Sequence, residues 1–271
     1  MLPSNLAGEN ADFRLILVGK SGGGKSASGN TVLDQRAFDS ILTARTTTLR
    51  SQSGQGTWRG MKISVVDTPG IFDSENHTEI VRREIISCIQ LSRPGPHALI
   101  LVTQVGRFSA EDAAAAMYVR DIFGAESARY TIVLFTCLED LGGDPLEEYV
   151  QKSDNRNLQD LIWQCRNRYC GFNNKATGAE RERQVSELME MVQRVVFENG
   201  GRHYVNQLYL EPHLRDEHVK RFVEQNRNAR QRFSHRIFAC FLPLWLAFCV
   251  CKRLFSCLRN AFVVVYRYLF S

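Results

Sequence analysis

Residues 19 to 26 read Gly19-Lys20-Ser21-Gly22-Gly23-Gly24-Lys25-Ser26, a GxxxxGKS pattern placed directly after the apolar run Phe13 to Val18. Small residues from Ser21 to Gly24 let the backbone curl so that successive N–H groups point inward. The helix expected to follow aims its positive end at the same hollow. That arrangement is chemistry for holding phosphate. Lys25 is expected to reach the β and γ oxygens of a nucleoside triphosphate. The Ser26 hydroxyl is expected to join the oxygen shell of a Mg²⁺ ion.

A second element, Val65-Val66-Asp67-Thr68-Pro69-Gly70, reads as a strand ending in a carboxylate and then a glycine turn. Asp67 in that place holds a Mg²⁺-bound water, and the Gly70 N–H meets a γ-phosphate and senses its loss. A phosphate-loop kinase or ATPase stays open on these two elements alone. The third speaks for guanine. After the apolar run Thr131 to Phe135 come Cys137-Leu138-Glu139-Asp140, and after Tyr169 to Phe172 come Asn173-Asn174-Lys175. A carboxylate at a strand's C-terminal end accepts two hydrogen bonds from guanine that adenine does not offer in that arrangement. Asp140 is the residue expected to do so. Guanine-binding loops usually carry a lysine two positions before this carboxylate, and here that position is Leu138. An apolar chain packs on a base but brings no ammonium, so weaker or state-dependent binding is expected.

These groups need a scaffold that brings strand ends together. From Phe13 to about Gly200, short β-rich runs alternate with helical patterns, which argues an α/β domain with a mostly parallel sheet. The runs are Leu15 to Val18, Ile63 to Val66, Ala98 to Val102, Thr131 to Phe135 and Tyr169 to Phe172. The helical stretches are Lys25 to Leu33, Thr78 to Leu91, Ala110 to Phe123, Asn157 to Arg168 and Ala179 to Phe197. The interval Asp39 to Gly60, rich in Ser, Thr, Gln and Gly, reads as a loop with one edge strand.

The 271 residues allow one domain of ordinary size and an appendage, and an apolar share of 44% supports a packed core. The net charge of +5 is mild and uneven. Basic residues from Arg215 to Arg236 precede the most apolar stretch. Such a placement suits anionic headgroups, at about 1 kcal/mol per basic residue, or a solvated helix face. Nucleic acid is not an expected partner, because these residues adjoin the apolar tail rather than interleave with aromatics. The N-terminus has no basic and apolar segments of a signal peptide and no Gly at position 2, so a cytosolic nucleotide domain is expected. Eight cysteines there read as thiols rather than a disulfide framework. Cys240, Cys249, Cys251 and Cys257 gather in the tail, where S-palmitoylation is a live option.

Ile237 to Cys251 carries no charged side chain and makes about 22 Å of helix against a hydrocarbon core of about 30 Å. From Lys252 onward Leu254, Phe255, Leu258, Ala261, Phe262, Val265 and Leu269 share one helical face, opposite Lys252, Arg259 and Arg267. Such a helix prefers the membrane interface. The competing reading is a helix docked on the domain or on another copy. The domain order expected is therefore a short N-terminus at 1–11, a nucleotide domain at 12–205, a basic helical extension at 206–236 and a membrane-associating tail at 237–271.

The motifs together resemble the immunity-associated nucleotide-binding GTPases, the GIMAP family, relatives of septins and of chloroplast import GTPases. The residues that carry the likeness are the phosphate loop with Ala27-Ser28-Gly29-Asn30, the Asp67 to Asp73 turn, and Leu101-Val102-Thr103-Gln104-Val105-Gly106-Arg107-Phe108, a box peculiar to that family among GTPases. The likeness runs through Glu139-Asp140-Leu141 and Phe172-Asn173-Asn174 to about Tyr204. It implies a Ras-like, doubly wound P-loop GTPase that binds GTP or GDP with Mg²⁺. Gly19 to Ala27 would hold the phosphates, and Cys137 to Asp140 with Asn173 and Asn174 the base. A switch I threonine would contact γ-phosphate and Mg²⁺. Alignment by Phe38 makes it Thr48, with Thr46 and Thr47 adjacent, and Ser40 in the same loop also approaches the nucleotide.

Hydrolysis is expected to be slow, because the position that carries a water-orienting Gln in Ras-like enzymes is Ile71. His77 is a second group considered for positioning water. The resemblance implies pairing through the nucleotide face, as a homo- or hetero-oligomer, in which Arg107 is a candidate arginine finger in trans; ordering the loop at the dimer face is its competing role. The expected function is a switch or assembly GTPase on the cytosolic face of an intracellular membrane. The alternative is a nucleotide-locked membrane scaffold that does not cycle.

Overall fold

The computed structural model describes residues 12–40, 50–70 and 78–232. Six strands are present: β1 Asp12–Val18, β2 Gln52–Trp58, β3 Met61–Asp67, β4 Ala98–Gln104, β5 Thr131–Thr136 and β6 Tyr169–Phe172. They form a single sheet of order β2-β3-β1-β4-β5-β6. Only β2 runs antiparallel, paired with β3 through the register Trp58↔Met61 to Gln52↔Asp67. The two-residue turn Arg59-Gly60 that joins them has positive φ at both residues (48° and 80°), the conformation whose twist suits a tight hairpin. The edge strand expected between Asp39 and Gly60 is thus β2.

Helices α1 Lys25–Leu33, α2 Glu79–Leu91, α3 Ala110–Phe123, α4 Leu146–Lys152, α5 Arg156–Gln164, α6 Gly178–Glu198 and α7 Gln207–Leu210 connect and cover the strands. Side chains alternate along each strand, so β1 sends Ile16 and Val18 to one face and Leu15 and Leu17 to the other. The first face packs on α2, α3 and α5, with Ile85, Ile89, Val119, Ile122, Leu158 and Ile162. The second packs on α1 and α6, with Val32, Leu33, Leu188, Met189 and Val192. Burying one such aliphatic side chain contributes about 1.5–3 kcal/mol, which makes the two-sided sheet the main source of stability. Local signals set the helix starts. Thr78 Oγ1 accepts from Val81 N, and Asn155 Oδ1 accepts from Leu158 N at 3.2 Å.

The compact unit that holds the sheet reaches Asn226, farther than the boundary at 205 read from the sequence. Residues 206–226 share its core: Leu208, Tyr209, Leu214, Val219 and Val223 are buried in the α2–α3 face. Polar contacts fasten them, with the Asn206 side chain donating to Phe123 O at 3.1 Å, Arg82 Nε donating to Asp216 Oδ1 at 2.6 Å and Asn226 Nδ2 donating to Asp121 O at 2.9 Å. Basic composition hid this packing, because the apolar positions are widely spaced among charges. Residues 227–232 belong to a second unit and are helical. Among the described residues no helix is long and apolar enough to cross a membrane. The tail at 237–271, the N-terminal segment 1–11, and Thr46, Thr47, Thr48, Ile71 and His77 lie outside the described residues.

Candidate functional site

Strand order reverses beside β1: the chain moves from β1 to β3 on one side and then to β4, β5 and β6 on the other. In open α/β sheets the crevice outside the carboxyl ends at such a reversal is where ligands bind. The segment Gly19 to Gly24 leaves β1 at that place and turns into α1. Its geometry depends on glycine. Gly19 has φ 130°, and a Cβ there would lie 2.5 Å from the Val102 carbonyl oxygen. Gly24 has φ 97° and faces the Thr136 side chain, where a Cβ would meet Cγ2 at 3.0 Å.

Neighbouring strands brace the loop from beneath. Thr136 Oγ1 donates to Gly23 O at 2.8 Å, and Gln104 Nε2 donates to Gly22 O at 2.9 Å. Lys25 Nζ donates to the carbonyls of Gly19 at 2.9 Å and Lys20 at 2.8 Å, so its buried ammonium is held inside the curl of the loop. The first turn of α1 has no acidic residue. The positive dipole end of α1 therefore points toward the crevice with no carboxylate of its own first turn to offset it.

The Lys20 side chain turns toward α3. Its Nζ lies 2.7 Å from Asp112 Oδ2 in α3. The reason is electrostatic: Asp112 is buried, and the ammonium is the cation within its reach.

Asp67 ends β3 opposite Leu17, which puts it one strand away from the loop. Its Oδ2 accepts the Ser26 hydroxyl at 2.6 Å. Thr68 Oγ1 donates to Leu17 O at 2.7 Å and sets the direction in which the chain leaves toward Gly70. A hydroxyl and a carboxylate joined in this way are hard oxygen donors, and they fit a Mg²⁺ ion, Ser26 directly and Asp67 through water. Ser40 is exposed at the end of the preceding described segment, its Oγ accepting from Asn30 Nδ2 at 3.4 Å.

The β5 and β6 ends build the other half of the site. Cys137 has φ 58° and turns the chain into a 3-10 turn, Leu138–Leu141, that presents Glu139 and Asp140 at the surface. Glu139 pairs with Lys175 at 3.0 Å. Asn174 Oδ1 accepts the Thr31 hydroxyl at 2.8 Å and its Nδ2 donates to Ser28 Oγ at 3.2 Å. This carboxamide pins the loop after β6 to α1. Asn173 N donates to Gln184 Oε1 at 2.9 Å. Arg107, after β4, is exposed, with Nη1 3.5 Å from Gln104 Oε1.

The structure thus brings Gly19 to Ala27, Asp67, Gly70, Arg107, Cys137 to Asp140, Asn173 and Asn174 to one edge of the sheet. Sequence reading assigned no role at the site to Thr136, Asp112, Thr31 or Lys175. Of these only Asp112 left a signal, the Ser109-x-x-Asp112 pattern in which Asp112 accepts the Ser109 N–H at 2.9 Å.

Residues 13–223 match the model of the AIG1 family. The chain is 39% identical over 197 residues to human GTPase IMAP family member 8, covering 72% of this chain and 29% of that protein. It is 36% identical over 215 residues to immune-associated nucleotide-binding protein 9 of Arabidopsis thaliana, covering 78% of this chain and 62% of that one. The chain therefore spans less than two thirds of the length of either relative. Among solved structures, a dimerization-deficient mutant of Toc33 from A. thaliana superposes with a TM-score of 0.55 at 16% identity, over 70% of this chain and 86% of that one. Toc33 in complex with Mg²⁺ and GMPPNP superposes with a TM-score of 0.52 at 16% identity, over the same shares. A structure described by the importance of dimerization for the GTPase activity of atToc33 and psToc159 superposes with a TM-score of 0.52 at 17% identity, over 69% of this chain and 84% of that one. These likenesses are ones of fold.

Proposed function

The chain belongs to the AIG1 family, as its resemblance to the GIMAP GTPases led one to expect, and from that premise we propose that it is a guanine-nucleotide switch working as an assembly module on a membrane surface. The observation that carries the reading is the Ser26–Asp67 contact of 2.6 Å beside a Lys25 ammonium held within the glycine curl. Backbone N–H groups of Gly19 to Ala27 bind the phosphates, and Lys25 neutralises their outer oxygens. Mg²⁺, when bound, supplies charge neutralisation between the outer phosphates. Ser26 and Asp67 hold and orient its shell, and Asp140 reads the base edge. GTP orders switch I through Thr48 and switch II through Gly70, creating a face for self-association.

Turnover is slow in a single copy, and Arg107 of one copy completes the site of another. The exposed position of Arg107, beside a loop braced by Gln104, supports that role. So does the fold likeness to atToc33 and psToc159, in which dimerization is important for the GTPase activity. The tail at 237–271 anchors the module to the cytosolic face of an intracellular membrane. The competing reading is a nucleotide-locked scaffold, favoured by Ile71 at the water-orienting position and Leu138 in place of the usual lysine. Single-turnover phosphate release, followed across protein concentrations, separates them. A rate that rises with concentration supports the dimer-activated GTPase, and no release over hours supports the scaffold. Flotation of the full chain with anionic vesicles tests the anchor.

A further inference from the structure

Arg107 stands on a short bridge between two buried anchors. Val105 and Phe108 are buried, while Gly106 and Arg107 between them are exposed. Polar contacts hold the bridge along its length. Val105 N donates to Thr136 O at 3.0 Å, Gly106 N donates to the Tyr149 hydroxyl at 3.1 Å, and Asn155 Nδ2 donates to Phe108 O at 3.1 Å. These contacts tie it to β5, α4 and the start of α5.

Both ends of the bridge are also tied to the phosphate loop. At the near end, Gln104 Nε2 donates to Gly22 O at 2.9 Å. At the far end, Ser109 donates its N–H and its hydroxyl to Asp112 Oδ2 at 2.9 Å and 2.7 Å. The same oxygen lies 2.7 Å from the Lys20 ammonium, which also donates to Ser109 Oγ at 3.3 Å. The Lys20 carbonyl in turn accepts from Lys25 Nζ at 2.8 Å. Asp112 therefore makes the buried one of the two fastenings. A buried ion pair is often no more stabilising than apolar residues of the same shape. What this one adds is direction, because its charges and hydrogen bonds define one position of Ser109 against Lys20.

We propose that Asp112 is a positioning residue that holds Arg107 at a fixed place relative to the phosphate loop, so that in a pair of copies each guanidinium reaches the opposite nucleotide. The proposal rests on the reading above that Arg107 of one copy completes the site of another. In a two-fold pair both copies offer the same face, so where Arg107 arrives depends on how it sits relative to its own loop. A displacement of about 1 Å at a reacting group costs up to about 100-fold in rate. Asp112, with its side chain 3% exposed, acts through Ser109, Lys20 and Thr103 rather than on the nucleotide.

The test is single-turnover phosphate release by the full chain in detergent micelles across protein concentrations. Wild type, Asp112→Asn, Arg107→Ala and the double variant are compared, with melting temperatures measured alongside. Asp112→Asn is expected to lower the release rate at high protein concentration about ten- to 100-fold. In the Arg107→Ala background it is expected to lower the rate no further, because the group it positions is already gone. A residue that merely stabilised the phosphate loop would lower the rate in both backgrounds. Ser109→Ala loosens the same corner while leaving the Lys20–Asp112 pair in place. It is expected to show the same pattern at about three- to ten-fold, and it takes over the test if Asp112→Asn does not fold. A folded variant whose rate rises with concentration as in wild type overturns the proposal, as does a loss that adds in full to that of Arg107→Ala. A wild-type rate that does not rise with concentration overturns the dimer-activated reading itself, and this proposal with it, and shows before any variant is compared.

Discussion

Lys20, inside the phosphate loop, places its Nζ 2.7 Å from Oδ2 of Asp112 in α3, with side-chain exposures of 20% and 3%. The same carboxylate accepts the Thr103 hydroxyl at 2.9 Å, the Ser109 N–H at 2.9 Å and the Ser109 hydroxyl at 2.7 Å. Burial works to raise the Asp112 pKa, yet the hydrogen bonds from Lys20, Ser109 and Thr103 outweigh it and hold the carboxyl below its usual range. One buried anion thus joins the phosphate loop, the end of β4 and the start of α3, and the segment that carries Arg107 lies between the last two.

Removing one partner of such a pair costs more than removing both. Asp112→Ala is expected to lower unfolding free energy by about 3 kcal/mol, because it strands the Lys20 ammonium and the Thr103 and Ser109 hydroxyls. Urea unfolding measures this. Lys20→Met combined with Asp112→Leu is expected to recover most of the loss, and a double variant as unstable as the sum of the singles would contradict the pairing.

Glycines in the loop are not equivalent. A Cβ at Gly19 meets backbone, the Val102 carbonyl oxygen at 2.5 Å, whereas at Gly22 it meets nothing within 4 Å, although both have positive φ. Gly22→Ala should therefore carry only the cost of backbone strain, about 1 kcal/mol, and Gly19→Ala should exceed it by a further 1–2 kcal/mol or so as β1 and β4 are pushed apart. Thermal melts of the two variants give the order.

Lys25 donates to the carbonyls of Gly19 and Lys20, which are loop groups rather than core groups. Lys25→Met is expected to leave the melting temperature of the nucleotide-free protein within a few degrees of wild type. Its affinity for GTP is expected to fall about 100-fold, since hydrogen bonds from a charged group to phosphate are each worth about 1.5–3 kcal/mol. Titration with a GTP analogue reads the difference.

How much of this was legible in the sequence depended on whether a signal was local. The bounds of α1 and α3 followed from apolar spacing and small residues, and the parallel sheet from β-rich runs. The phosphate loop and the Asp67 turn were plain because their chemistry is carried by consecutive residues. The ion pair of Lys20 was not legible because its partner lies in α3, far along the chain. Helix α4 was missed between Glu-rich residues, and the packing of 206–226 was hidden by its charges. Thr136, beneath Gly23, gave no signal, since nothing but the fold brings β5 under the loop.

The opposite end of the sheet makes a pH prediction. His97 Nδ1 accepts the Arg14 N–H at 3.0 Å, and its ring lies edge-on to His203 at 5.9 Å. Burial, then the charge of Arg14 and then His203 lower the His97 pKa from 6.5 to about 3. The unfolded chain therefore takes up a proton at this residue near pH 6.5 while the folded chain does not, so stability is full above that pH and falls as pH drops toward 3. The slope from one such group reaches about 1.4 kcal/mol per pH unit. Denaturant unfolding from pH 7 to 4 should show a shallower decline in His97→Asn than in wild type; parallel curves would contradict the assignment.

The central claim is that the edge formed by Gly19 to Ala27, Asp67 and Asp140 binds a guanine nucleotide. Its most direct test is titration of the nucleotide-stripped full chain in detergent micelles with GDP, a GTP analogue and an ATP analogue in the presence of Mg²⁺. The account predicts binding of the guanine nucleotides but not of the adenine one, and loss of that selectivity in Asp140→Ala. A folded chain that binds none of them, or binds the ATP analogue as well as the GTP analogue, would contradict it.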